Sequence, residues 1–188
     1  MLTLLLTIAF FAPAGDISML GIKINDPKKS LDQLKLEVVA KERNMIKYRT
    51  ENGNDFSVTF EHGKVVYMEN DWLQDATGNQ PLFSDFIFGQ TTLRDIRNKF
   101  STNGFVHKNK FAFPTKTDLI MFNCFEFDSK NNEILVTVTK VALAKNVTEE
   151  NVADHLKLEA LIIADKTYLD EIWGKDKSFD PNYKKINP

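Results

Sequence analysis

The feature that most constrains this chain is a pair of apolar runs around residues 61–64. Phe56-Ser57-Val58-Thr59-Phe60 alternates apolar and polar residues, and Val65-Val66-Tyr67-Met68 follows after Glu61-His62-Gly63-Lys64. Successive side chains of a strand point to opposite faces, and Gly63 supplies the positive φ that a tight antiparallel turn needs. The runs therefore read as a β-hairpin with one face to bury. A lone hairpin is marginal in water, so more strands and a cover must come from elsewhere. Asn52-Gly53 is a second turn of the same kind, joining Met45–Thr50 to the hairpin as a meander. Lys35–Ala40 alternates likewise. Ile17–Ile24 reads as an earlier strand ending at Asn25-Asp26-Pro27, and Ser30 as the cap of a short helix carrying Leu31 and Leu34.

Between Trp72 and Asp85 the text turns loop-like, with Asp75, Thr77-Gly78-Asn79 and Pro81 clustered there, which marks the best internal boundary. Beyond it Thr92, with Asp95 three residues on, opens a helix in capping-box style. Leu93, Ile96 and Phe100 share one helix face and Arg94, Arg97 and Lys99 the other, and Asn103-Gly104 is expected to stop the helix. Phe105–Phe113 reads as a strand, Thr117–Phe127 and Ile134–Leu143 as a long hairpin, and Thr148–Asp154 as a short helix. Leu156–Ala164 is a buried strand and Thr167–Trp173 a last helix. Phe179, Tyr183 and Ile186 then anchor a polar tail as a strap.

The halves share a plan. Ser30-Leu31-Asp32-Gln33-Leu34 parallels Thr92-Leu93-Arg94-Asp95-Ile96 in cap and apolar spacing, and each is followed by a hairpin. The expected fold is α+β: antiparallel sheet built from two degenerate helix-plus-β-meander repeats, residues 15–75 and 76–188, with the helices on one face. The second unit includes the C-terminal strand, helix and tail, and the whole is one compact domain.

Residues 1–14, MLTLLLTIAFFAPA, supply an address. The uncharged run is too short to span a bilayer, which needs about 20 apolar residues, and it ends in the small-x-small pattern Ala12-Pro13-Ala14. That reads as a signal peptide cleaved after Ala14, giving a periplasmic or secreted product, although no Lys or Arg precedes the apolar core. The net charge of −2 argues against a nucleic-acid binder, and no further run approaches membrane length. Cys124 is the single cysteine, which excludes an intramolecular disulfide, and its place in an apolar strand reads as a buried, inert thiol.

Gly89-Gln90-Thr91, with Ile96 and Phe100 on the helix that follows, resembles the helix-start motif of a bacterial envelope superfamily. That superfamily contains the small outer-membrane-assembly lipoproteins and the β-lactamase inhibitor proteins, and its units are a helical segment followed by an antiparallel meander, often duplicated. The apolar helix positions here fall about one residue late, the Gly-Pro that often follows is missing, and there is no lipidated cysteine. The resemblance implies a periplasmic protein-binding module and no enzyme.

The residues themselves offer no nucleophile elbow, paired metal-binding histidines or Cys–His pattern, so no catalytic, metal or cofactor-binding residues are assigned. His62, His107 and His155 are spread out and read as surface residues. The basic and aromatic residues of Phe105–Phe113 read as an edge strand guarded by lysines, in preference to a nucleic-acid surface. Tyr67, Glu69, Asp71 and Trp72 form the one place where acidic and aromatic residues cluster, the mix expected of a protein-binding patch. The expected function is a non-catalytic binder of another envelope protein, such as an inhibitor or immunity-type partner of an envelope enzyme. A carrier of a small apolar ligand is the alternative, drawn from the fifteen Phe, and an enzyme with dispersed carboxylates is a third reading.

Overall fold

The computed structural model describes residues 17–143 and 147–187, so the expected signal segment lies outside the described residues. A short 3-10 helix, Lys28–Gln33, precedes β1 (Glu37–Lys41), β2 (Met45–Arg49), β3 (Asp55–Glu61) and β4 (Lys64–Asp71). Then come α1 (Leu93–Phe100), β5 (Phe105–His107), β6 (Ala112–Pro114), β7 (Asp118–Glu126) and β8 (Glu133–Ala142). The described chain ends with α2 (Val152–His155), β9 (Lys157–Asp165), α3 (Lys166–Trp173) and β10 (Lys177–Phe179). One antiparallel sheet takes them all in the order β1-β2-β3-β4-β9-β8-β7-β5-β10, with β6 on the far end of β7. The meander β1–β4 and the meander β5-β7-β8-β9 thus meet through their last strands, Asn70 opposite Leu161.

The turns behave as their residues dictate. His62 and Gly63 both take positive φ, 50° and 74°, the pair of values that a two-residue hairpin loop requires. On the first sheet face Phe56, Val58, Met68, Leu135, Leu161 and Ile163 form the main core. Leu31, Ile96 of α1, and Phe86 and Phe88 from the irregular stretch after β4 close over it. Two buried asparagines pin that stretch to the sheet. Asn54 Oδ1 accepts from the Leu73 N–H (3.1 Å), and Asn70 Oδ1 accepts from the Leu82 N–H (2.9 Å). The segment read as a boundary is therefore a cover.

On the second face Ile134, Val136, Ala160, Ile162 and Ala164 form another cluster, sealed by Leu169 of α3. Asp165 caps α3 by accepting from the Thr167 and Tyr168 N–H groups at 2.8 and 3.1 Å. The tail is a strap: β10 pairs with β5, and buried Ile186 bridges to Phe127.

Several local expectations are corrected. The helices do not share one face: α1 packs on the first and α3 on the second, because β8 and β9 are apolar on both sides and need two covers. Ile17–Ile24 is no strand but a tight turn at Leu20-Gly21 closed by a Met19–Ile22 bridge; Leu20 is exposed at its tip, while Ile17, Met19, Ile22 and Ile24 join the main core. Ser30 lies inside the 3-10 helix, which Pro27, with φ fixed near −65°, initiates without a side-chain cap. The capping box at Thr92 forms, but α1 ends at Ser101, which takes the left-handed conformation ahead of Gly104. Phe105–Phe113 breaks into β5 and β6 where the Lys110 N–H turns back to the His107 carbonyl. The helix expected from Thr148 is confined to Val152–His155.

Candidate functional site

Alternation along β4 sends Met68 and Asn70 into the first-face core and leaves Tyr67, Glu69 and Asp71 on the second face. The Tyr67 hydroxyl donates to Glu69 Oε2 at 2.9 Å, and its ring meets Tyr168 of α3 edge-on, 6.0 Å between centroids. Three of the four residues expected from the sequence are thus together. Trp72 is not with them. It follows the end of β4, where the chain leaves the sheet, and packs against the first-face core. A Cβ on Gly89 would lie 2.5 Å from the Trp72 ring, so glycine there is what lets the indole settle.

Register adds residues that no single-strand pattern exposes. Glu69 lies opposite Ser57 of β3, and Ser57 opposite Lys47 of β2; one step along, Asp71 lies opposite Asp55, and Asp55 opposite Arg49. Lys47 Nζ is 3.3 Å from Asp55 Oδ2 and 3.8 Å from Asp71 Oδ2, while Arg49 Nε donates to Asp55 Oδ1 at 2.9 Å. Asp55 therefore takes both cations at close range. Glu69 is left with the Tyr67 hydroxyl and the neighbouring Asp71 carboxylate.

The electrostatics follow from burial and from that shortage. Burial, reinforced by the charge of Asp71, lifts the Glu69 carboxyl to about 7. Burial also raises Asp71, against the pull of Lys47. Tyr67 is pushed well above the ordinary phenol range by burial and by Glu69. Burial thus favours the protonated form of the pair, and the attraction of Lys47 offsets only part of it. A cation arriving from outside would favour the ionised form.

Beside it the apolar cluster under α3 is closed. Cys124 is buried in its cluster, and burial pushes its thiol up to about 12, as expected of an inert cysteine. His107, expected at the surface, is completely buried. Its Nδ1 donates to the Gly174 carbonyl (2.8 Å), while Nε2 has no partner and faces Asp170 Oδ1 at 3.9 Å. Desolvation holds its pKa below the usual value. Among the described residues no group of three His, Cys, Asp or Glu side chains is placed to hold a metal ion, and no helix is long and apolar enough to cross a membrane.

A second feature lies at the far end of the sheet. Phe111, Leu119, Met121, Leu143 and Val152 line an open apolar groove of about 420 Å³. Phe111 and Leu143 are half exposed there, 49% and 52%.

Against family models, curated proteins and solved structures, the chain finds no match. The site has to be interpreted from its own geometry.

Proposed function

We propose that this protein is a non-catalytic envelope module that binds another protein through the β2–β4 half of its second face. The observation that carries the reading is the Glu69–Asp71 carboxylate pair beside Lys47 and Arg49, on a half-face that α3 meets at Tyr67. Lys47, Arg49 and Asp71 keep side-chain exposures of 30%, 36% and 32% there. A partner's lysine or arginine placed over Glu69 would supply the missing cation and form a charge-assisted hydrogen bond. Complementary charge of this kind selects partners and speeds encounter.

The periplasmic or secreted address rests on residues 1–14, and the protein acts there as an inhibitor or immunity-type partner. Two meanders, each led by a helical turn and joined through their last strands, support descent from a duplicated unit. That is the architecture implied by the resemblance at Gly89-Gln90-Thr91.

The test is capture from an envelope extract with wild-type protein and with Glu69→Lys/Asp71→Lys. The reading expects a discrete partner held by the wild type and lost with the double variant. A partner held equally by both would place binding elsewhere, and no specific capture by the wild type would count against a protein-binding role.

The apolar groove favours one alternative, carriage of a small apolar ligand. Native mass spectrometry of freshly purified protein would then show a bound lipid-like mass that Met121→Glu removes.

A further inference from the structure

Where α1 meets β5, β10 and the start of the tail strap, the surface forms an open cavity of about 280 Å³, close to the lower end of the range of about 300–1,000 Å³ usual for small-ligand sites. Arg97 and Asp180 both line it. They attract one another, yet each spends its hydrogen bonds elsewhere. Arg97 Nη2 donates to Asn123 Oδ1 (2.9 Å), and Arg97 Nε has no partner. Asp180 accepts from Asn103 Nδ2 (3.0 Å) and from the Asn182 N–H (2.9 Å). Asn123 Nδ2 in turn donates to the Asn103 carbonyl at 2.7 Å. Amide groups therefore run from the guanidinium to the carboxylate, and the two charges form no direct ion pair.

Opposite charges that line one cavity without collapsing into an ion pair are a receptor for a dipolar molecule. Burial penalises the Arg97 charge, so a ligand carboxylate there would recover interaction that the protein itself does not provide. Asp180 is held ionised by its two donors and offers the complementary anion. Phe179, 49% exposed and stacked on Phe105 at 5.0 Å, adds an apolar wall.

We propose that this cavity binds a small zwitterion of the free α-amino-acid class, its carboxylate on Arg97, its ammonium on Asp180 and its side chain along Phe179. The experiment is a titration of the full protein with leucine and with glycine, following the backbone amide resonances of residues 97–106, 177–180 and 182. N-acetyl-leucine, which lacks the ammonium, and leucine amide, which lacks the carboxylate, serve as parallel probes. The proposal expects saturable shifts with leucine, weaker affinity for glycine, and a loss of about tenfold or more for each blocked derivative, since each forfeits one charge-assisted hydrogen bond. Arg97→Gln should weaken leucine but not leucine amide, and Asp180→Asn should weaken leucine but not N-acetyl-leucine. Absence of shifts with both amino acids, or equal affinity for the blocked derivatives, overturns it. The blocked ligands need no variant, so a misfolded substitution leaves the test intact.

Discussion

The two halves of the second sheet face share one backbone and one alternation but differ in what that alternation delivers. Along β8 and β9 it delivers Ile134, Val136, Ala160, Ile162 and Ala164, and Leu169 of α3 lies over them. Along β2, β3 and β4 it delivers Lys47, Arg49, Asp55, Ser57, Glu69 and Asp71, and α3 stops at the Tyr67 ring. A side chain's demand for cover is set by its chemistry, so an apolar half-face recruits a helix while a charged one satisfies itself by cross-strand pairing. The pairing is one cation short. The proposed partner surface rests on that shortage.

The largest expected effect lies in the covered half. Leu169→Ala removes the central plug of α3, with no accessible surface of its own, and should cost about 2–5 kcal/mol in urea denaturation. A loss well under 1 kcal/mol would mean that α3 is not what closes this half.

The pH response should separate the halves by sign. The folded state holds the His107 pKa below the ordinary value of 6.5. The unfolded chain therefore binds more protons once the pH drops below 6.5, and the covered half loses stability on acidification. The Asp170 carboxylate of α3, the Lys177 ammonium of β10 and the Cys124 thiol of β7 face this histidine, and its protonation would add a second cation to a pocket already holding Lys177 against Asp170. Glu69 acts oppositely. Its carboxyl rises from 4.5 to about 7 on folding, so the folded state holds the extra proton and the open half loses stability as pH rises through that window. Urea midpoints measured from pH 4 to pH 8 should show His107→Gln flattening the acid limb and Glu69→Gln raising the alkaline limb. Should Glu69→Gln leave the alkaline limb unchanged, the missing-cation account of the open half fails.

The smallest effect belongs to the rim of the cover. Lys110 Nζ sits 4.5 Å from the Phe113 ring centroid and 4.7 Å from that of Phe122. Lys110→Met, which retains most of the stem, should cost about 0.5–1 kcal/mol. A larger loss would show that the turn between β5 and β6 belongs to the core.

Much of this was legible in the sequence where one strand or one turn carried the signal. Tyr67, Glu69 and Asp71 share a face because they alternate within a single strand, and the hairpins at Asn52-Gly53 and His62-Gly63 needed only local turn chemistry. Lys47, Arg49 and Asp55 required the register to be followed across two turns, which the meander expected at residues 45–68 did allow. Trp72 misled because adjacency in sequence was read as adjacency in space: alternation puts it, two residues after Asn70, on the first face, opposite Tyr67, Glu69 and Asp71. The burial of His107 was beyond local reading, since the groups that enclose it, Asp170, Trp173, Gly174 and Lys177, come from α3 and the strap far along the chain. The same holds for Arg97, whose helix face looked solvated until Asn123 and Asp180 were brought to it.

The claim that the open half-face is the working surface is tested most directly by photo-crosslinking in cells that make the protein. A photoreactive residue would replace Lys47 or Asp71 in the open half, and Phe111 or Leu143 at the apolar groove. The account predicts one discrete protein adduct from positions 47 and 71, abolished by Glu69→Lys. Adducts arising only from positions 111 and 143, or none from the open half, would contradict it.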